Sequence, residues 1–496
     1  MSKSISPITK PLLAVTALVL LGFVLRLVQL NTPIWGDEVA TWAFARRAPF
    51  SQMIHFALQD PTPPLYYTLI HFSIPFLGTS FIGLRWPSLL FGLLIIPTTY
   101  WSMRQAHFSV KDSLYATLLV TISSMLIYYA QEARVYALLA FLGLVSIGLL
   151  WQCLQKPTLL NSLLLSGSMV FLAYTHRSAL FLVVAQIAFL FLNRLWRPFL
   201  ITAFTFSLIG FSILLQIANG TFPFGQAGDP TNWEAIRSLI SSLTTGSVGM
   251  QHIGKLPDSL GLAFPNPIIN QLLPIIGLAT LIIILGVGAI RLFKQRTPTV
   301  RRQYLIMLSF CILVPTTLAL LAGTSLSPRP QWLLRGLIYI WPLYFMGVIA
   351  ATSQSKLQPY LVLILVLLNG FSLYPYYSNY TRFDNATAFE QLNSQTDEND
   401  LIVADPWYMF EVINYYYQGQ AKMVGVHQDQ GWIDVAEMAI TTEPGLLPLH
   451  QSPATNGKIY VYHRSADLAW VDQFPDNDIF IFNGRTNSWQ SYERSP

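Results

Sequence analysis

Apolar residues in this chain come in long blocks separated by short polar joints. A block of roughly 20 apolar residues matches the hydrocarbon core of a bilayer, and such blocks recur at 11–30, 82–102, 113–130, 135–153, 158–175, 178–193, 198–218, 266–290, 304–323, 337–352 and 357–375. The pattern predicts about eleven transmembrane helices, and counts up to about thirteen are compatible with it. One further apolar block, "PPLYYTLIHFSIPFLG" at 63–78, is short and holds Pro63, Pro64, His71 and Pro75. Those features favour an interfacial or re-entrant helix over a crossing. Beyond residue 375 the period changes. "DLIVADP" (400–406), "AKMVGV" (421–426), "KIYVYHR" (458–464) and "DIFIFNG" (478–484) read as strands, while "WYMFEVINYYYQG" and "GWIDVAEMAIT" read as helices. The expected fold class is a polytopic α-helical membrane protein, residues 1–375, followed by a small α/β domain, residues 376–496.

Charge distribution orients this layout. Lys3, Lys10, Arg104, Lys111, Lys156, Arg194, Arg197, the cluster "RLFKQRTPTVRR" at 291–302 and Lys356 fall on one side of the membrane only if 63–78 does not cross. Basic joints mark the cytoplasmic side, so the amino terminus is expected there and the C-terminal domain outside it. The external segments are then 31–81, 131–134, 175–177, 219–265 and 324–336. "MSKSISPITKPLLAVTALVLLGF" opens like a signal but runs on without a small-residue cleavage site, and is read as an uncleaved first span.

Composition agrees and excludes a soluble enzyme: 496 residues are 53% hydrophobic and 11% charged, with a mean hydropathy of +0.46. The net charge of +5 conceals a split, because residues 1–375 hold 23 Lys and Arg against 8 Asp and Glu, and the remainder 6 against 16. Cys153 and Cys311 both lie in apolar blocks, so neither a disulfide framework nor a cysteine-based metal site is expected.

Seven of the eight membrane-domain carboxylates fall in external segments: Asp37, Glu38, Asp60, Glu132, Asp229, Glu234 and Asp258, leaving only Asp112 on the other side. Charge near membrane depth is costly and needs partners, so this segregation marks a functional face; the blander reading is that loops carry charge wherever they meet water. "YYAQEARVYALLAF" adds Gln131, Glu132 and Arg134 at a span junction, where Glu132 and Arg134 are equally well read as a local ion pair. "YTHRSALF" adds His176 and Arg177, and "SPRPQWLLRGLIYIWP" adds Arg329 and Arg335. Arginines on the face opposite the basic joints call for an anionic partner, either a lipid headgroup or a substrate phosphate.

The succession "WGDE", "QDPTPPLYYTLIHF", "GLRWPSLLFG", "YYAQEARVYALLAF" and "YTHRSALFLVVAQ", covering roughly the first 190 residues, resembles the bacterial protein mannosyltransferase-like family, glycosyltransferase family 39 and its relatives, which include the lipid A aminoarabinose transferases. The resemblance implies a GT-C membrane fold whose first external loop bears the catalytic acid, with helices lying on the membrane in that loop. It also implies a donor sugar carried on a polyprenyl phosphate. Relatives commonly place a His before the paired prolines, where this chain has Thr62, so a role tied to that His has no counterpart here.

Moving a sugar from a lipid phosphate to a hydroxyl needs a base for the acceptor proton and cations for the departing phosphate. By the resemblance and its place, Asp37 is the expected general base, with Glu38 beside it in a catalytic or loop-orienting role. Asp60, Tyr66, Gln131, Glu132, Arg134, Tyr136, His176, Arg177, Arg329 and Arg335 are the substrate-binding candidates, the arginines for their two-pronged fit to phosphate. A divalent metal ion between carboxylate and phosphate would serve the same end, and the sequence leaves that choice open. The expected enzyme is an inverting hexosyl- or pentosyltransferase of the bacterial plasma membrane. Its expected partners are the polyprenyl-phosphate sugar, a glycan, lipid or protein acceptor, and membrane lipids, but no nucleic acid. Two rival classes stand beside it. A transporter or lipid flippase would be equally polytopic, but would carry paired halves and midplane polar sites. A noncatalytic scaffold leaves the first-loop acids without a purpose.

Overall fold

The structure is a computed structural model that describes residues 9–58, 60, 62–209, 233–245, 267–294, 299–322, 334–378, 385–405, 410–427, 431–434, 446–447, 457–463, 477–483 and 488–491. The chain divides into two compact units, Met1–Asn31 with Phe44–Tyr380, and Thr32–Ala43 with Thr381–Pro496.

The first unit is helical. Among the described residues, six helices are long and apolar enough to cross a membrane: α1 (Thr9–Leu27), α5 (Phe81–Gln105), α8 (Tyr136–Gln155), α13 (Pro267–Lys294), α14 (Val300–Ala322) and α16 (Gln358–Ser378). A seventh span is formed if α6 (Val110–Ile122) and α7 (Ser124–Ala130), bent by 55° at Ser123, are taken together. Shorter apolar helices cover α4 (Leu65–Leu77), α9 (Leu159–Ala173), α10 (Ala179–Leu192) and α15 (Ile340–Thr352). Leu160, Phe204, Ile275, Leu285 and Leu363 all stand more than half exposed, an outer apolar surface that lipid would cover. The protein is an integral membrane protein, and its 63–78 block forms the single short helix α4.

Inside the bundle, many hydroxyls are satisfied within their own helix. Thr99, Thr117 and Thr121 each donate to the carbonyl four residues earlier, at 2.8, 2.7 and 2.7 Å, which lets hydroxyls sit in an apolar interior. Arg26 is fully buried and donates through Nη1 to the carbonyls of Gly22 at 3.0 Å and Thr121 at 3.2 Å. It therefore supplies a cation to the C-terminal carbonyls of α6 where the helix breaks.

The second unit is built on a seven-stranded sheet of order β4-β3-β2-β1-β5-β6-β7. Its strands are β1 (Leu401–Asp405), β2 (Lys422–His427), β3 (Gly431–Asp434), β4 (Leu446–Leu447), β5 (Ile459–His463), β6 (Ile479–Asn483) and β7 (Ser488–Ser491). β2, β1, β5 and β6 are parallel neighbours, and β3, β4 and β7 join antiparallel at the two sides. The four expected strands are all present. The helix expected from "GWIDVAEMAIT" is corrected: Gly431–Asp434 is strand, registered so that Val424 opposes Asp434 and His427 opposes Gly431. Gly431–Asp434 gain their hydrogen bonds from pairing with β2, and Trp432 and Ile433 also pair with β4. Residues 435–441 lie outside those described. Helices α17 (Asn385–Gln395) and α18 (Phe410–Tyr416) also belong to the unit. Phe389 of α17 links them to the sheet, with ring centroids 5.4 Å from Tyr462 and 6.0 Å from Trp489.

Candidate functional site

In the helical unit, the sequence "DPTPPLYY" builds a carboxylate site. Asp60 Oδ1 accepts from the Thr62 N–H at 2.7 Å, the two-residue reach of an Asx turn, and from the Tyr67 hydroxyl at 2.8 Å. Tyr67 is held by a small core with Met53 and Ala57 of α3 (Phe50–Ala57), flanked by Phe44 and Ile54, so packing sets the position of its hydroxyl. Burial pushes the Asp60 carboxyl above its usual range, against the opposing pull of Arg134, the Thr62 N–H and the hydroxyls of Tyr67 and Thr62. Burial, then the Asp60 charge, push Tyr67 far up as well, which keeps it a proton donor. Thr62, where relatives are expected to place His, thus serves Asp60 with both backbone and side chain.

Arg134 and Arg177 interact with this acid, and Arg335 joins them around His176. The Arg134 backbone carbonyl accepts from Ser88 Oγ at 3.0 Å, and Ser88 in turn meets the Tyr66 hydroxyl at 2.6 Å. Because Ser88 gives its proton to the carbonyl, Tyr66 donates to Ser88, and α4, α5 and the 131–135 turn are joined in one chain of hydrogen bonds. Leu65 N–H donates to the Tyr174 carbonyl at 3.1 Å, which ties the start of α4 to the end of α9 just before His176 and Arg177. Burial lowers the Arg177 pKa while Asp60 raises it, so the two charges interact. Arg335, in the 3-10 turn Leu334–Leu337, has its guanidinium carbon 5.5 Å from the Tyr136 ring centroid, and that ring also meets Tyr129 at 4.8 Å and His176 at 5.9 Å.

His176 senses all three. Burial first, then Arg177, Arg335 and Arg134, push its pKa down to about 3, so it stays neutral at any working pH. Its Nδ1 lies 2.7 Å from the hydroxyl of Ser178, which donates to the Gly336 carbonyl, and the Tyr339 hydroxyl donates to the Ser178 carbonyl at 3.2 Å. A Cβ on Gly336 would stand 3.1 Å from Ser178 Oγ and 3.2 Å from His176 Cε1, so a residue without a side chain permits this approach of the Arg335 turn. The guanidiniums of Arg134, Arg177 and Arg335, the Asp60 carboxylate and the His176 imidazole form a charged cluster, and the fully buried Glu132 carboxylate lies two residues from Arg134; guanidiniums are suited to pairing with phosphate oxygens.

Asp37 and Glu38 belong to the second unit, in the first turn of α2 (Gly36–Ala45). Glu38 is fully buried and its Oε2 accepts from the Trp35 N–H at 3.3 Å, the reach-back of a capping box. Two acids in the first turn also suit the positive end of the helix dipole. Asp37 is half-buried, and its carbonyl accepts from Thr41 Oγ1 at 3.2 Å.

Asp60, Arg134, Tyr136, His176, Arg177 and Arg335 therefore come together, with Tyr66 in the hydrogen-bond chain that supports them. Gln131 is engaged elsewhere: its Nε2 donates to the Arg26 carbonyl at 2.9 Å and its Oε1 accepts from the Tyr376 hydroxyl, joining α1 to α16. Glu132 is fully buried and its carbonyl accepts from the Arg134 N–H at 2.7 Å, a tight turn that shapes the Arg134 backbone. Arg329 lies outside the described residues, as do Asp229 and Asp258. Sequence reasoning missed Tyr67, Ser88, Ser178 and Gly336, which carry no charge to flag them; their signal is pairing across elements far apart in the chain. Among the described residues no group of three His, Cys, Asp or Glu comes together as a metal site.

No family model matches the chain, and no curated protein matches it. Among solved structures, the chain is similar to the apo oligosaccharyltransferase of Archaeoglobus fulgidus, with a TM-score of 0.49 and 13% identity over 82% of this chain and 63% of that one. It thus spans about 63% of the length of that archaeal protein. It is also similar to ArnT from Cupriavidus metallidurans in the apo state, with a TM-score of 0.42 and 13% identity over 84% of this chain and 85% of that one. The same ArnT bound to undecaprenyl phosphate gives 0.42 and 13%, over 85% and 87%.

Proposed function

We propose that this protein is a GT-C membrane glycosyltransferase that moves a sugar from a polyprenyl phosphate to an acceptor hydroxyl. The observation that carries the reading is the gathering of Arg134, Arg177 and Arg335 around the neutral His176, with Asp60 among them. Planar guanidiniums bind phosphate oxygens in pairs, and three of them balance the charge of a phosphate leaving as a dianion. His176, unable to take up a proton there, is suited to hydrogen-bond a neutral sugar hydroxyl and unsuited to acid catalysis. Tyr136, between His176 and Arg335, offers a ring face for the sugar.

In the proposed reaction Asp37 takes the acceptor's hydroxyl proton. The freed oxygen bonds to the anomeric carbon from the face opposite the phosphate, and the bond from that carbon to the phosphate oxygen breaks with its electron pair staying on the phosphate. A single displacement inverts the anomeric configuration. The half-buried, upward-shifted Asp60 favours a second reading of the base, in which Asp60 takes the proton and Asp37 orients the acceptor. The remaining assignments, a bacterial plasma membrane with the amino terminus cytoplasmic and the tail outside, follow from the basic joints of the sequence.

The test is turnover of purified wild type and Asp37→Asn with a mixed pool of polyprenyl-phosphate sugars, both checked for folding. A loss of about 100-fold or more in the variant is expected for a general base. Equal turnover moves the chemistry to Asp60, a retained anomeric configuration in the product refutes single displacement, and turnover in neither favours a transporter.

A further inference from the structure

The tail's aromatic helix has an attachment that the proposed reaction does not explain. Tyr416, at the end of α18, donates its hydroxyl to the carbonyl of Ile34 at 2.7 Å. Its neighbour Tyr415 meets Trp42 edge-on, with ring centroids 4.9 Å apart and planes at 85°. The two anchors bracket Asp37, one three residues before it and the other five after. Between them, the Glu38 carboxylate holds the Trp35 N–H, so the first turn of α2 is pinned on both sides and capped from within.

The tyrosines are themselves fixed to the sheet. Tyr415 and Tyr416 meet edge-on at 4.8 Å, and Tyr416 stacks on Phe389 at 6.0 Å with planes 7° apart. Phe389 packs against Tyr462 and Trp489, and the Trp489 indole N–H donates to the Ala388 carbonyl at 3.1 Å. A continuous run of rings therefore leads from strands β5 and β7 to the "WGDE" turn. The grouping of Thr32–Ala43 with the C-terminal unit, despite its place in the first loop of the sequence, has this physical basis.

We infer that Tyr416 is a positioning residue for the Asp37 carboxylate: the C-terminal domain sets the acid-bearing turn in place through the Tyr416 hydroxyl and the Tyr415 ring. The inference rests on Asp37 being the base. A carboxylate that must approach an acceptor hydroxyl within hydrogen-bond reach loses rate when its backbone can wander, while donor binding is untouched.

The experiment compares Tyr416→Phe, Asp37→Asn and the double variant in the full-length protein in lipid nanodiscs, with polyprenyl-phosphate sugar as donor. Phe keeps the ring on Phe389 and removes one hydrogen bond. Tyr416→Phe is expected to lower kcat about tenfold with donor KM unchanged within about twofold, and to raise amide hydrogen exchange in residues 34–42. In the double variant the loss should equal that of Asp37→Asn alone, because the two residues act on one step. Should Tyr416→Phe fold poorly, Tyr415→Leu tests the other anchor with the same readouts. Unchanged kcat in Tyr416→Phe, or losses that multiply with Asp37→Asn, overturns the anchoring while leaving the base intact. Full turnover in Asp37→Asn overturns the base, and the anchoring role with it.

Discussion

Asp60 and Asp112 are carboxylates of one helical unit, set near opposite ends of α5, and their surroundings differ in kind. Asp112, in the first turn of α6, is 5% exposed and accepts from Ser353 Oγ at 3.0 Å and from Gln358 Nε2 at 2.9 Å. Both partners are neutral; Ser353 follows the end of α15 and Gln358 opens α16. Asp60 is half-buried and shares its surroundings with Arg134 and Arg177. A carboxylate matched by neutral donors from other helices staples those helices together. A carboxylate outnumbered by guanidiniums sits in a field that still attracts an anion. The comparison teaches that burial of an acid alone does not distinguish scaffold from site; the charge of its partners does.

The sharpest way to break this comparison is to neutralise each acid in turn. On the proposed reading of the site, Asp60→Asn is expected to lower sugar transfer by about 100-fold. Its thermal stability should hold, because an amide still accepts from Thr62 and Tyr67 and no longer bears a desolvated charge. Transfer within twofold of wild type would place Asp60 with Asp112 as scaffold.

Asp112→Asn should do the reverse. An amide presents a donor where Ser353 or Gln358 also donates, and an unmet buried polar contact costs about 1–3 kcal/mol. The apparent Tm in detergent should fall, while transfer per folded molecule stays at the wild-type level. A drop in turnover without a drop in Tm would give Asp112 a role in the reaction and remove the contrast.

Much of this architecture was legible along the chain because membrane helices and buried strands leave strong periodic signals. The apolar blocks fall on helices throughout the described part of the first unit, and "LIVAD", "KMVGVH", "IYVYH" and "IFIFN" are strands. The antiparallel strands were not legible: Ser488–Ser491 is too polar to stand out as a strand, and Gly431–Asp434 gains its hydrogen bonds from pairing with β2 on one side and β4 on the other. The charged site members were visible as arginines and acids on one expected face. What the sequence could not reveal was partnership across long separations. Ser178 meets Gly336 across 158 residues, and Tyr416 reaches Ile34 across 382. Nothing in local pattern links such pairs, and Gly336 matters because of a side chain it lacks.

The smallest predicted effect concerns pH and separates the two titrating members of the Asp60 region. His176 has a folded-state pKa lowered to about 3 from a reference of 6.5. Between those values the unfolded chain holds a proton that the folded protein lacks, so this residue makes stability fall as pH drops below about 6.5. Asp60 acts with opposite sign. Its pKa is raised on folding, so the folded state takes up a proton first and gains stability as pH falls through that raised value. The two contributions partly cancel in wild type and leave a shallow acid limb. His176→Gln should flatten the remaining loss, whereas Asp60→Asn should steepen it, as measured by Tm between about pH 7 and pH 4. The same two variants sharpen the assignment of the base. An ascending limb in kcat/KM that lies above the usual carboxylate range belongs to Asp60 if it disappears in Asp60→Asn and persists in His176→Gln. If His176→Gln moves that limb instead, the imidazole titrates in the working range, and the three arginines do not hold it neutral.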